Sequence, residues 1–131
     1  MKVYEFVPHK QVGVLRFGAD RQSVRREAGQ YKEFRKTKFS ENTTDDFDSF
    51  FHAYYDKDDR LCGVEIFDGA QLLYEGTVIS WEDYAAFAKQ IQKIDPAAGL
   101  DGEVFRSEAL GLRAYVPHDA VETVFLTAGK V

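Results

Sequence analysis

Two stretches of this sequence share one plan. The first is Phe51-His52-Ala53-Tyr54-Tyr55, the polar turn Asp56-Lys57-Asp58-Asp59-Arg60, then Leu61-Cys62-Gly63-Val64-Glu65-Ile66. The second is Leu112-Arg113-Ala114-Tyr115-Val116, a turn, then Val121-Glu122-Thr123-Val124-Phe125-Leu126. Each reads as a strand–turn–strand hairpin. Ala53 and Tyr54 match Ala114 and Tyr115 at an offset of 61, and Val64 and Ile66 match Val124 and Leu126 at an offset of 60. The helical stretches ahead of the hairpins run at nearly the same offset, with Asp20, Val24 and Ala28 answering Ser80, Tyr84 and Ala88. A sheet with one buried face needs a cover, and a helix on that face supplies it. The reading is an α+β fold of two tandem helix-plus-antiparallel-sheet repeats forming one compact domain over residues 1–131. Its pseudo-repeat halves fall at roughly 12–70 and 71–131.

The flanking segments follow from local chemistry. Lys2–Val7 alternates as a strand does, and Pro8 stops it. Val12–Phe17 reads as a second extended segment ending at Gly18. Asp20 is a fit N-cap for a short helix over Arg21–Ala28, with Gly29 as its left-handed stop. Tyr31–Lys38 is basic and extended, and Phe39–Asp48 lacks apolar periodicity and reads as a loop. Gln71–Tyr74 reads as a further strand. Ser80 and Asp83 resemble a capping box for a helix that puts Trp81, Tyr84, Ala88 and Ile91 on one face. Asp95-Pro96 ends it. Glu103–Glu108, Ala109–Val116 and Val121–Thr127 read as the last strands.

Composition removes several classes. Hydrophobic residues make up 44% of the 131 residues, too many for a disordered chain. The single Cys excludes an internal disulfide framework. The formal net charge of −5 argues against nucleic acid as a partner. No long apolar run or secretory h-region is visible, so no membrane partner is expected and the expected location is cytoplasmic. The charge is segregated: residues 21–38 hold seven basic and two acidic side chains, and residues 41–59 hold seven acidic and one basic.

No catalytic motif emerges. His9, His52 and His118 lack partners at metal-ligand spacing, and no Gly-rich phosphate loop occurs. No metal or other cofactor is expected. A Cys62–His52 pair across the first hairpin would have the makings of a nucleophile and base, but no third group marks itself to orient it. The carboxylates of the 41–59 block, set beside aromatic residues, suit recognition. The candidate binding residues are Asp45, Asp46, Phe47, Asp48, Asp56, Asp58 and Asp59. The aromatic run Phe47, Phe50, Phe51, Tyr54 and Tyr55 is either core on both sides of a strand or, with one face open, a contact surface.

Arg16-Phe17-Gly18 with its short capped helix, the stretch Phe39-Ser40-Glu41-Asn42-Thr43-Thr44-Asp45, and Tyr54-Tyr55-Asp56 together resemble a group of small uncharacterised bacterial proteins. The tandem plan also resembles the beta-lactamase inhibitor protein fold, a two-repeat binding module. The lack of catalytic motifs, the acidic balance, the aromatic content and the duplicated sheet point to a non-enzymatic binding protein, such as a toxin-immunity or inhibitor protein. Its expected partner is a protein, such as a basic toxin drawn in by the acidic block. The alternatives are a small hydrolase-like enzyme with its site at the 40–48 loop, and a structural homodimer. The chain itself is expected to be a monomer or homodimer.

Overall fold

A computed structural model describes residues 2–47, 51–67 and 70–129. Among them the order is β1 (Lys2–Val7), β2 (Gln11–Val12), β3 (Leu15–Arg16), α1 (Arg21–Ala28), β4 (Lys32–Phe34), β5 (Thr44–Phe47), β6 (Phe51–Tyr55) and β7 (Leu61–Phe67). Then follow β8 (Ala70–Tyr74), β9 (Thr77–Ile79), α2 (Tyr84–Ile94), β10 (Gly99–Asp101), β11 (Val104–Ser107), β12 (Leu112–Tyr115) and β13 (Thr123–Thr127). The fold is α+β, mostly sheet, and forms one compact domain.

The two hairpins meet in an eight-stranded antiparallel sheet of order β10-β11-β12-β13-β7-β6-β5-β4. One four-stranded meander, β4–β7, follows α1, and another, β10–β13, follows α2; they join at β7 and β13. Ala53 pairs with Val64 and Ala114 with Val124, and across the seam Val64 faces Leu126 and Ile66 faces Val124. All six are at most 1% exposed. Each such aliphatic larger than alanine contributes about 1.5–3 kcal/mol by leaving water. Burial alternates with period two along β12 and β13, so one face of this sheet lies on the core and the other, the outer face, reaches solvent.

The two small sheets expected, one per repeat, are merged in the eight-stranded one, and the second sheet is built from other strands. Its order is β3-β2-β1-β8-β9, with β1 parallel to β8. Residues before position 12 therefore pair with residues beyond position 69, so the expected boundary near residue 70 does not divide the chain in space. Phe6, Val12, Leu15, Leu72 and Ile79 of this sheet belong to the same buried cluster as the seam residues.

Local readings held where a cap defined them. Asp20 accepts from Ser23 N at 2.9 Å and α1 ends at Gly29 with φ of 95°. Three readings are corrected. The Val12–Phe17 segment is broken between β2 and β3, because Gly13 takes φ of 58° and its N–H bonds back to Glu5 O. The second helix begins at Tyr84 with Asp83 as its cap, accepting from Ala85 N at 3.1 Å. Trp81 thus precedes that helix and is buried at 2% exposure. Finally, Thr44–Phe47 is a strand where a loop was expected.

Candidate functional site

The acidic block is divided: Glu41, Asp58 and Asp59 are exposed, whereas Asp45 is withdrawn from the surface. Asp45 points from β5 toward α1 and is fully buried. Arg25, one turn beyond Arg21 on α1, holds it bidentately, with Nε to Oδ2 at 2.8 Å and Nη2 to Oδ1 at 2.9 Å. Arg21 reaches Oδ1 at 3.4 Å, and Tyr55 Oη donates to Oδ2 at 2.9 Å. The bond to Asp45 pushes the Arg25 guanidinium further into its charged form, and burial keeps Tyr55 protonated. Asp59 takes Arg21 Nε at 3.0 Å and Asn42 Nδ2 at 2.7 Å, and these bonds hold its carboxyl below the usual range. Asp56 Oδ1 accepts from the N–H groups of Asp58 and Arg60, fixing its own hairpin turn. Part of the cationic block is therefore the internal counter-charge of the anionic one.

Of the candidate residues, Asp45 and Phe47 are buried, Asp56 and Asp59 are engaged in local structure, and Asp58 is exposed. Asp46 lies on the outer face with its Oδ1 3.6 Å from His52 Nε2. Asp48 falls outside the described residues, as does Phe50.

The outer face carries the richer chemistry. Strand alternation places Tyr54, Glu65, Arg113, Tyr115 and Phe125 there, side by side across four strands. With Lys36 they line a groove of about 340 Å³. Its polar groups are fixed in advance. Tyr54 Oη donates to Glu65 Oε1 at 2.6 Å, and Lys36 Nζ donates to both, at 2.7 Å and 3.0 Å. Burial raises the Tyr54 phenol, so it remains a donor. Burial opposes the Glu65 charge, but the bonds from Tyr54 and Lys36 outweigh it and hold the carboxyl below its ordinary value. Tyr54 and Phe125 meet edge to face at 5.1 Å, and the Arg113 guanidinium lies 4.9 Å from the Phe125 ring. Next to the groove, His52 is packed between the rings of Phe34 and Phe67, and desolvation lowers its pKa.

Beyond Lys36 the chain makes a tight turn. Thr37 N donates to Ser40 Oγ, Phe39 N to Thr37 Oγ1 and Arg35 Nη1 to Ser40 O. The turn presents Phe39 at 84% exposure, the most exposed large apolar side chain described. Sequence reading missed this surface, because its members come from four strands and a turn and converge only through register.

Cys62 Sγ contacts Tyr54 O at 3.4 Å, its thiol is raised by burial, and no hydrogen bond joins it to His52. Among the described residues, no three His, Cys, Asp or Glu side chains are placed to hold a metal. Four grooves lined by described residues do not include Asp45 or Asp46. Among the described residues no helix is long and apolar enough to cross a membrane. Comparison with family models, with curated proteins and with solved structures found no match, so the assignment of a role rests on the geometry of the chain itself.

Proposed function

We propose that this is a non-enzymatic binding protein that docks a protein partner on the outer face of its eight-stranded sheet, as an inhibitor or toxin-immunity protein would. The observation that carries the reading is the groove around Tyr54, Tyr115 and Phe125. It is an aromatic surface on the solvent side of a sheet, with Tyr54, Glu65 and Lys36 already hydrogen-bonded to one another. Aromatic side chains with few rotors make strong interface anchors. A surface ordered before contact loses less entropy on binding. Phe39, on its fixed turn beyond Lys36, offers a further exposed aromatic anchor. Burial of Asp45 and engagement of Asp59 move the contact away from the acidic block and onto this face. In this reading the protein works in the cytoplasm and acts by occlusion.

A hydrolase site at residues 40–48 would have a buried carboxylate with two arginines converging on it, but none of the grooves described above is lined by Asp45 or Asp46. Binding is therefore the better-supported function.

The test is recovery of the partner from the native host with the full chain, followed by titration of the purified pair. Tyr115→Ala removes a ring that is 42% exposed, so the fold tolerates the change. Binding should weaken about 30-fold or more, the cost of a central interface aromatic. Unchanged affinity in Tyr115→Ala and Phe39→Ala together would place the contact elsewhere and end the proposal. Sedimentation showing a dimer that buries Tyr115 would replace the foreign partner with a second copy.

A further inference from the structure

Arg106 and Arg113 are direct cross-strand neighbours on the outer face. Like charges set opposite one another on a sheet repel. Among the described residues neither forms an ion pair, whereas Lys36, the other cation of the groove, is committed to Glu65. Arg106 Nε is buried without a hydrogen-bond partner, which leaves its fork short of an acceptor. Arg113 is held in place over the Phe125 ring. Asp101 and Glu108 share a neighbouring hollow of about 500 Å³ with Arg106 but do not pair with it.

We propose that the outer face takes an acidic segment of the partner protein, one of whose carboxylates sits between Arg106 and Arg113. This rests on the binding reading above and names the chemistry of the partner. A guanidinium matches a carboxylate in two parallel hydrogen bonds, which a lysine cannot do. One carboxylate between the two forks cancels their repulsion and gives their outward N–H groups an acceptor. Residues flanking that carboxylate then meet Phe125 and Tyr115. Nucleic acid fits less well. It needs many cations in register with its phosphates. Residues 66–131, which hold both arginines, carry only five basic side chains against ten acidic. That excess repels a long polyanion more strongly than a short segment with a few carboxylates.

The experiment pans a displayed library of random short peptides on the full chain and on the Arg106→Gln/Arg113→Gln double variant. Single-stranded oligouridine is titrated in parallel. Peptides rich in Asp and Glu are expected, binding the double variant ~10-fold or more weakly, with Arg106→Lys/Arg113→Lys restoring only part of the loss. The Gln variant should melt no lower than wild type, since a repulsion has been removed. Selection of neutral or basic peptides sensitive to Tyr115→Ala would overturn this inference while leaving the binding surface standing. Oligouridine binding lost in the double variant, with no acidic peptide selected, would overturn it in favour of nucleic acid. A double variant melting well below wild type would show the arginines to be structural and would also overturn it. Failure of the binding reading itself shows separately, as a recovered partner indifferent to Tyr115 and Phe39.

Discussion

The two meanders of the large sheet solve one packing problem with opposite chemistry. Beside Ala53 on the strand under α1 stands Asp45, and beside Ala114 on the strand under α2 stands Phe105. Both are almost completely buried. Counting from each cap, α1 offers Arg21, Val24 and Arg25 where α2 offers Tyr84, Phe87 and Ala88. Phe105 therefore packs edge to face on Phe87 at 5.8 Å and on Tyr84 at 6.0 Å, while Asp45 is gripped by two guanidinium groups. The apolar half gains by removing area from water. The ionic half must first desolvate its charges, and recovers that cost only because every oxygen of Asp45 is hydrogen-bonded. Stability alone does not call for an ion pair there, but geometry does: Arg25 and Arg21 tie α1 to β5, to Glu33 and to the Asp56–Arg60 turn.

The comparison breaks most severely at Asp45. Asp45→Ala removes the buried carboxylate shared by Arg21 and Arg25, leaving them only the exposed Asp59 and Glu33, and should cost about 3–5 kcal/mol in denaturant unfolding. Phe105→Ala should cost a similar ~3–5 kcal/mol by opening a cavity. The two halves part company when the whole constellation is exchanged. Arg21→Leu, Arg25→Ala and Asp45→Phe together copy the apolar arrangement, and should fall within about 2 kcal/mol of wild type although Asp45→Ala alone does not. A triple variant as unstable as the single one would mean that the ionic network is irreplaceable, and the equivalence of the two halves would fail.

This asymmetry explains what the sequence could disclose. The hairpins and α1 were legible because their signals are local: alternation, Asp20, and Gly29. β5 was not, since its buried positions are Thr44, Asp45 and Phe47, and a carboxylate on the core side erases the apolar alternation that marks a strand. Its partners lie on a helix 20 and 24 residues earlier, so only the fold shows that Asp45 is satisfied. The start of α2 was ambiguous because Ser80 and Asp83 both suit a cap. The parallel pairing of β1 with β8 leaves no mark in either strand. The outer-face groove was hidden for a related reason. Tyr54 and Phe125 look like core aromatics in a list, and only register puts them on the solvent side, next to Arg113.

A smaller break lies at the seam. Gly63 of β7 has no side chain where Phe125 of β13 lies down, and a Cβ at that position would stand 2.7 Å from the ring. Gly63→Ala should therefore lift Phe125 off β7. The stability cost is about 1–3 kcal/mol from overpacking. The affinity for a partner on the outer face should fall further than stability does. Gly99→Ala, where nothing lies within 4 Å, is the control and should change neither.

Acid should separate the halves without any mutation. Thr43 and Arg25 hold the Glu33 carboxyl below its ordinary value, and Arg21 and Asn42 do the same for Asp59. A depressed folded pKa contributes stability above the unfolded value, near 4, which is lost as pH falls through the folded value. Between about pH 4 and pH 2, amides of α1, β4 and β5 should lose hydrogen-exchange protection before those of α2 and β11. Simultaneous loss in both halves would show that the ionic network carries no separate acid sensitivity.

The finest distinction concerns the caps. Asp20 and Asp83 occupy the same position at the starts of α1 and α2. α2 buries Phe87 and Ile91 completely, and those contacts hold it whether or not its first turn is satisfied. α1 is eight residues long and buries only Val24 and Arg21. Helices this short are marginal without tertiary support. Its cap is also the stronger, since Asp20 accepts from both the N–H and the hydroxyl of Ser23. Asp20→Ala should thus cost about 1–2 kcal/mol and Asp83→Ala about 0.5 kcal/mol, read as shifts in the urea midpoint at constant slope. Equal costs would mean that the arginines anchor α1 as firmly as the aromatic core anchors α2, and the two solutions would then be energetically interchangeable.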